Sequence, residues 1–453
     1  MVKAWLLLLL ALASPCLAQE APPAPTPVNL PALAPEPPED TSQTLTIDLH
    51  EALEIALAKS PRVGITLARV RQTQAETDAA GAPLRPQAFA RLLGPPVPPS
   101  LNSVSNNLAF APLRVEARKI LYDGGKVWAK IDQMKSQTAS DAQSAQAEWH
   151  QINLDVRLAY IDLLRARAQL EVSGSGLKVT QQQLDESQKR FLAGEIPHGD
   201  VLLARVPNYQ AQLDLQRAGA TARDKQEALD LLLGLPLDTP LLLKPVDAAP
   251  PLKEDLAQCV LQARQDKPAI RASRLNLEAA RHAIRAAELD NHPSLTGELG
   301  TVGYQNQGTY ISGLGYYGAL ELNWAFFDGG LSVHTTASAK AARDAAELRL
   351  LELERESEVQ VRQSYRAVES ARQASESSAI QLTQSQDAYR IASAQYRAGL
   401  VPFYPVRQAQ LDLLKAQQAN SGALYDYLVA RAQLDFARGE TPDPDLSTPT
   451  VRP

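Results

Sequence analysis

Apolar residues along the chain change their period in the same order twice. After Asp48, residues Leu49, Ala52, Leu53, Ala56 and Leu57 fall on one helical face, and after Asp255 the face returns as Leu256, Cys259, Val260 and Ala263. Each opening acid is followed three residues on by Glu51 or Gln258, the pattern of a capping box. Helical patterning continues to about residue 82 in the first copy and about 290 in the second. A period of two then takes over. Across 319–326, Leu320, Leu322, Trp324 and Phe326 alternate with Glu321, Asn323 and Ala325, and the first copy sets Val115, Ala117, Lys119 and Leu121 against Glu116 and Arg118. Weaker partner strands are expected near 84–93 and 295–305, with loops at 94–107 and 306–315. Helical patterning resumes after each strand pair. From Trp128 to Ala193 it spans about 100 Å at 1.5 Å per residue. Heptad-spaced large residues (Leu177, Leu184, Phe191; Leu382, Tyr389, Tyr396) alternate with small ones (Thr180, Ser187; Ser385, Ala392), which predicts close coiled-coil packing.

The chain is therefore one unit written twice. Asp123-Gly124-Gly125 returns as Asp328-Gly329-Gly330, and Tyr160, Gly194, Pro197 and Gly234 return at the same offset as Tyr365, Gly399, Pro402 and Gly439. Earlier in the unit the offset is slightly larger, Pro61 matching Pro268 and Pro86 matching Pro293. The two units run over 45–240 and 252–440, joined by a linker at 241–251. Gly194–Pro197 and Gly399–Pro402 break the long helices, which return as hairpins to Gly234 and Gly439. Pro207 should kink the first returning helix; its counterpart Asp412 should not.

Composition sharpens this outline. Aromatics make up 5% of the 453 residues, which suits long coiled-coil helices better than a thick globular core. The net charge of −6, with no basic stripe, gives no reason to expect nucleic acid as a partner. Lys3, the apolar run Leu6–Leu12 and the small-residue site ending at Ala18 predict a signal peptide over 1–18. Cys16 keeps open an acylated alternative, although Pro15 and Ala13 fit a lipoprotein cleavage box poorly. A Pro-rich lead-in follows over 19–44, and 441–453 is a short unfolded tail. Apart from the leader no segment is apolar enough for a spanning helix, so any passage through a membrane requires a β-barrel. One greasy and one polar strand face fit that requirement, placing Glu116, Arg118, Glu321 and Asn323 in a wet barrel lumen. Four strands cannot close a barrel. Three copies would supply twelve strands continuous with a tube of twelve helices.

Expected chemistry is sparse. The six histidines make no ligand pair, Cys259 takes the place of Ala52 as a small core residue, and no catalytic constellation, cofactor site or metal site is expected. Gly313-Leu314-Gly315-Tyr316-Tyr317-Gly318 matches a dinucleotide fingerprint by letters, but no helix follows, and it reads as a flexible turn. Tyr304, Tyr310, Tyr316, Tyr317, Trp324, Phe326 and Phe327 suggest an interfacial aromatic girdle, with ordinary strand propensity as the alternative.

The signal peptide, the tandem units, Lys59-Ser60-Pro61, the Leu-Tyr-Asp-Gly-Gly and Phe-Phe-Asp-Gly-Gly strand ends, and the tips Arg190–Gly194 and Tyr396–Gly399 together resemble the TolC-like outer-membrane factor family across 45–440. That resemblance implies a homotrimer in outer-membrane lipid: a mainly α protein whose β-barrel continues into a helical periplasmic tunnel. It would be a passive efflux duct and not an enzyme, recruited by a periplasmic adaptor (membrane fusion) protein and an inner-membrane pump. Arg190, Gly194, Tyr396, Arg397 and Gly399 would then be tip or adaptor-contact residues. In the best-known members acidic residues of the second unit face the pore just past the tip. Here that stretch is Pro405-Val406-Arg407-Gln408, so a constriction charge falls to Asp200 or Arg407. For Asp200, capping of the returning helix is the competing role. A periplasmic adaptor would carry one such hairpin flanked by β-rich modules, not two tandem copies with strand pairs. A coiled-coil scaffold would explain the heptads but not the Leu320–Phe326 alternation or the repeated Asp-Gly-Gly.

Overall fold

The two capping boxes form as their spacing predicts. Asp48 accepts from the Glu51 amide at 2.8 Å and Glu51 returns the bond to the Asp48 amide, starting helix α1 (Leu49–Lys59). Asp255 and Gln258 do the same for α5 (Leu256–Asp266). Pro61 and Pro268 then begin α2 (Pro61–Ala80) and α6 (Pro268–Glu288), where a missing N–H costs nothing.

The structure is a computed structural model that describes residues 45–92, 110–237, 239–246, 252, 254–305 and 313–440. The expected leader, lead-in, 94–107 loop and tail lie outside these residues, as do 306–312 and part of the linker. The chain divides after Leu45 into two units, and the second, Thr46–Pro453, carries the fold.

Six strands and eight α-helices are described. Strands β1 (Leu45–Ile47) and β4 (Leu241–Leu243) pair with each other, so the expected linker contributes an element of its own. The other four, β2 (Gln87–Leu92), β3 (Phe110–Tyr122), β5 (Ser294–Gln305) and β6 (Gly313–Asn323), form an antiparallel sheet in the order β2-β3-β5-β6. Two of these bounds correct the sequence reading. Gly313–Gly318 is strand and not a turn, held by the ladder to β5 with Leu299 packed against Gly318. The alternation at Leu320 and Leu322 is strand, but the chain leaves the ladder after Asn323 and bends at Trp324–Phe326.

The long helices are α3 (Lys126–Leu192) and α7 (Leu331–Arg397), of 67 residues each, or about 100 Å. They return as α4 (His198–Leu233) and α8 (Phe403–Arg438). Helix α4 is unbroken through Pro207. Near the sheet, α3 packs between α2 and α6, and α6 against α7; along the hairpins, α3 packs between α4 and α8, and α8 against α7. The helices leaving the sheet thus follow the strand order, α2-α3-α6-α7 beneath β2-β3-β5-β6.

Side-chain size divides the helical part into two regimes. Where α1 and the β1–β4 pair meet α3 and α4, the core is bulky: Leu53, Tyr160, Leu163, Leu229 and Leu233 are fully buried with Ile47 and Val156. The Tyr160 hydroxyl reaches the carbonyl oxygens of Ile47 (3.1 Å) and Lys244 (2.7 Å). Its second-unit counterpart Tyr365 lies beside a smaller core of Cys259, Val361, Val368 and Leu434. Towards the tips the seam becomes small. Ala166, Ser173, Thr180 and Ser187 are buried at seven-residue spacing on α3, against Val201, Ala204, Asn208, Ala211, Ala218 and Ala222 on α4. The expected large knobs Leu177, Leu184 and Phe191 stay partly exposed, because the close-packed line within the chain is the one carrying methyls and hydroxyls.

Candidate functional site

The repeated Asp-Gly-Gly is a strand-to-helix switch. Gly124 and Gly125 have φ of 68° and 90°, Gly329 and Gly330 of 65° and 91°. Two consecutive left-handed residues strain any side chain but glycine's. The preceding aspartate then caps the helix: Asp123 accepts from the Gly125 and Val127 amides at 2.9 and 2.7 Å, Asp328 from those of Gly330 and Ser332 at 2.9 and 2.8 Å. Bonds from Ser332, with the amides, hold the Asp328 carboxyl below its ordinary pKa. Each long helix is thereby fixed in direction relative to its strand.

Strand register sorts the sheet into two faces. Leu121, Leu299, Tyr316, Leu320 and Leu322 share one face and are more than half exposed. The opposite face carries all four expected lumen residues. Glu116 and Arg118 are paired at 3.1 Å, while Glu321 and Asn323 line, with Arg118, Phe89 and Glu298, a concavity of about 310 Å³. Tyr317 also belongs to this polar face, since it pairs with Gly300 opposite Glu116, so it is no member of an outer girdle. Trp324, Phe326 and Phe327 are exposed at the helical end of β6, Trp324 and Phe326 edge to face at 6.5 Å.

At the other end, both hairpins turn the same way. Gly194 (φ 79°) and Gly399 (φ 73°) end α3 and α7, and the amides of Glu195 and Leu400 reach back to the carbonyls of Arg190 and Gln395 at 2.9 and 3.0 Å. The two tips touch through Arg190, whose guanidinium lies 4.9 Å from the centre of the Tyr396 ring and 3.3 Å from Glu186. Tyr396 and Arg397 line a cleft of about 380 Å³ with Gln183, Glu186, Ser187 and Tyr389. Asp200 is not a cap: Pro197 holds that position, and Asp200 lies in the first turn, where the helix dipole favours its charge. Arg407 stacks on Tyr404 at 5.4 Å, and no ion pair joins it to Asp200 among the described residues. Sequence reasoning missed Arg91, Arg114 and Glu298 on the polar face. The alternation of Arg114, Glu116 and Arg118 already pointed to the first strand of that set, but Glu298 lies in a glycine-rich segment with no clear period.

The sequence model of the outer membrane efflux protein family matches residues 112–235 and 260–440. The chain belongs to that family. This efflux protein is 28% identical over 400 residues to Protein CyaE of Bordetella pertussis (strain Tohama I), a match covering 84% of the present chain and 81% of the relative. Among solved structures, the CmeC outer membrane channel of Campylobacter jejuni aligns with a TM-score of 0.77 at 16% identity, over 86% of this chain and 85% of that one. The outer membrane protein VceC of Vibrio cholerae aligns with a TM-score of 0.71 at 20% identity, over 86% and 96%. At such identities the likeness is one of fold. The efflux protein is an outer-membrane channel, with its four-stranded sheet in the barrel and its helices in the periplasmic tunnel.

Proposed function

We propose that three copies of this efflux protein close into one passive duct, a twelve-stranded barrel leading into a twelve-helix tunnel. The observation that carries this reading is the four-stranded sheet with β2 and β6 as its edges, above helices in the matching order. A head-to-tail contact of β6 and α7 with β2 and α4 of the next copy satisfies both edges and closes by rotation. Exposed Leu202, Leu203, Val206 and Tyr209 on α4, and Leu348, Leu351 and Val359 on α7, support it, since these flanks stay uncovered among the described residues.

In this reading Glu116, Arg118, Glu321 and Asn323 face the lumen. The tips, with Arg190, Gly194, Tyr396, Arg397 and Gly399, hold the periplasmic end closed and meet a periplasmic adaptor working with an inner-membrane pump. Asp200 and Arg407 lie one turn inside the constriction. The duct has no catalytic step of its own; the driving chemistry belongs to the pump. Imaging of the detergent-purified protein tests the assembly: three-fold tubes well over 100 Å long support it, and compact or monomeric particles overturn it. The tip assignment has a separate test. In a Gly194→Leu/Gly399→Leu double substitution the added Cβ atoms meet no neighbouring atom within 4 Å, but both left-handed turns are strained, so export should fail while trimers persist. Unimpaired export would remove the tips from the gate.

A further inference from the structure

Five charged groups on the polar face of the sheet form one network, and their depth matters more than their sum. Glu116 accepts a hydrogen bond from the Tyr317 hydroxyl at 3.0 Å and is ion-paired with Arg114, in direct contact, with Arg118 at 3.1 Å and with Arg91 at 3.9 Å. Glu298 takes Arg118 at 2.5 Å and Arg114 at 3.5 Å. Tyr317 reaches this cluster from β6 by lying across Gly300, where a Cβ would stand 2.8 Å from its ring, and its oxygen accepts from Arg114 Nε at 3.0 Å. The network therefore crosses all four strands. Its two carboxylates are covered, with side chains 0% and 7% exposed, whereas Arg91, Arg114 and Arg118 remain 57%, 38% and 33% exposed. The glutamates form the floor and the guanidiniums the surface. The exposed carboxylate Glu321 lies two residues further along that face, about 7 Å towards the helical end, close to one screening length at physiological salt.

Resting on the luminal reading of this face, we propose that Arg91, Arg114 and Arg118 form an anion-binding girdle halfway through the barrel. Each guanidinium keeps N–H donors beyond those spent on the glutamates, in a fork that fits carboxylate, phosphate or sulfate oxygens. Repeated around the bore, the girdle would hold passing multivalent anions briefly and disfavour cations at the same level. The outer end of the duct would thus contribute selectivity independently of the tips.

The test is single-channel recording of the full-length protein in planar bilayers, with inorganic triphosphate added on the barrel side. Reversible, salt-sensitive block is expected from that side. Arg91→Gln, which removes an exposed charge without uncovering Glu116, should weaken the block several-fold, and Glu321→Gln should strengthen it. Arg114→Lys keeps the charge but loses the fork, and should fall between Arg91→Gln and the unchanged protein. Block indifferent to all three substitutions, or block by spermine in place of triphosphate, overturns the girdle. The luminal reading is checked separately with a membrane-impermeant thiol reagent, in a Cys259→Ala background. Glu321→Cys should label and Leu320→Cys should not; the reverse pattern sinks the luminal reading, whereas the expected pattern without anion block sinks the girdle alone.

Discussion

Replacing Tyr160 by phenylalanine isolates a single hydroxyl in the middle of the protein. That hydroxyl is buried and ties α3 to the end of β1 and to the residue that follows β4. The Ile47 oxygen has a second donor, the Lys244 amide at 3.1 Å, but no other donor to the Lys244 oxygen is described. Tyr160→Phe keeps the ring and its packing, so the cost reduces to an orphaned carbonyl, about 1–3 kcal/mol. Burial pushes the Tyr160 pKa up to about 12, so the hydroxyl stays a donor throughout the working pH range. The perturbation is local, and the assay should be as well. Hydrogen exchange at the Lys244 amide should lose protection by about 5- to 150-fold, the same free energy expressed as a local opening constant. Tyr365→Phe is the internal control, because no hydrogen bond to its hydroxyl is described; the peptides around Tyr365 should exchange as before. Unchanged protection at Lys244 in Tyr160→Phe, or an equal effect of the two substitutions on their own surroundings, would refute the assignment.

Three further outcomes are expected. Gly124→Ala and Gly329→Ala should each cost about 1–2 kcal/mol through their left-handed φ, and Gly124→Ala more, since its Cβ would stand 2.9 Å from that of His292 while Gly329 has open space; the heat stability of the purified assemblies ranks them. Arg438 occupies the place of Leu233, yet its buried guanidinium holds Asp435 at 2.8 Å and Glu254 at 3.6 Å; Arg438→Leu removes these charge-assisted contacts, leaving Asp435 with Arg431 at 3.4 Å, and should destabilise by about 1.5–3 kcal/mol in urea melts. His150 lies at the α3–α8 seam beside Arg157, Asp435 and Glu440, and burial, with the charge of Arg271, holds its pKa below 6.5. A depressed folded pKa means that stability is full above about 6.5 and lost as pH falls below it. His150→Gln should therefore flatten the decline in urea midpoint between pH 7.5 and 5.5; an unchanged slope removes His150 as its source.

Much of this architecture was legible because its signals are local and duplicated. Asp48 and Asp255 announce their helices through partners three residues away, and Asp-Gly-Gly states a backbone demand that only glycine meets at low cost. Strand faces read well where the period of two was clean, as at Val115–Leu121 and Leu320–Leu322. The failures share a cause: in each, a neighbour decided the outcome. Gly313–Gly318 has no alternation to display, and it is strand because β5 supplies the ladder and Leu299 the missing bulk. Tyr317 looked like one aromatic among several until Gly300, on another strand, gave its ring somewhere to lie. The hairpin seam was read as large residues alternating with small ones, and within the chain only the small positions, Thr180 and Ser187 among them, hold the buried line.

That small-residue line has a mechanical meaning. Interlocked leucines resist sliding as gear teeth do, whereas methyls and hydroxyls leave two helices almost smooth to one another. On α3 and α4 the fully buried leucines are confined to the level of Tyr160, at Leu163, Leu229 and Leu233. From there to Leu192 is about 45 Å of helix. The hairpin is thus a lever arm with its pivot at the bulky core, and a tilt of about 5° there sweeps the tip through about 4 Å. A few degrees at the pivot, costing few side-chain rearrangements on the way, become an atom-sized displacement at Arg190 and Tyr396.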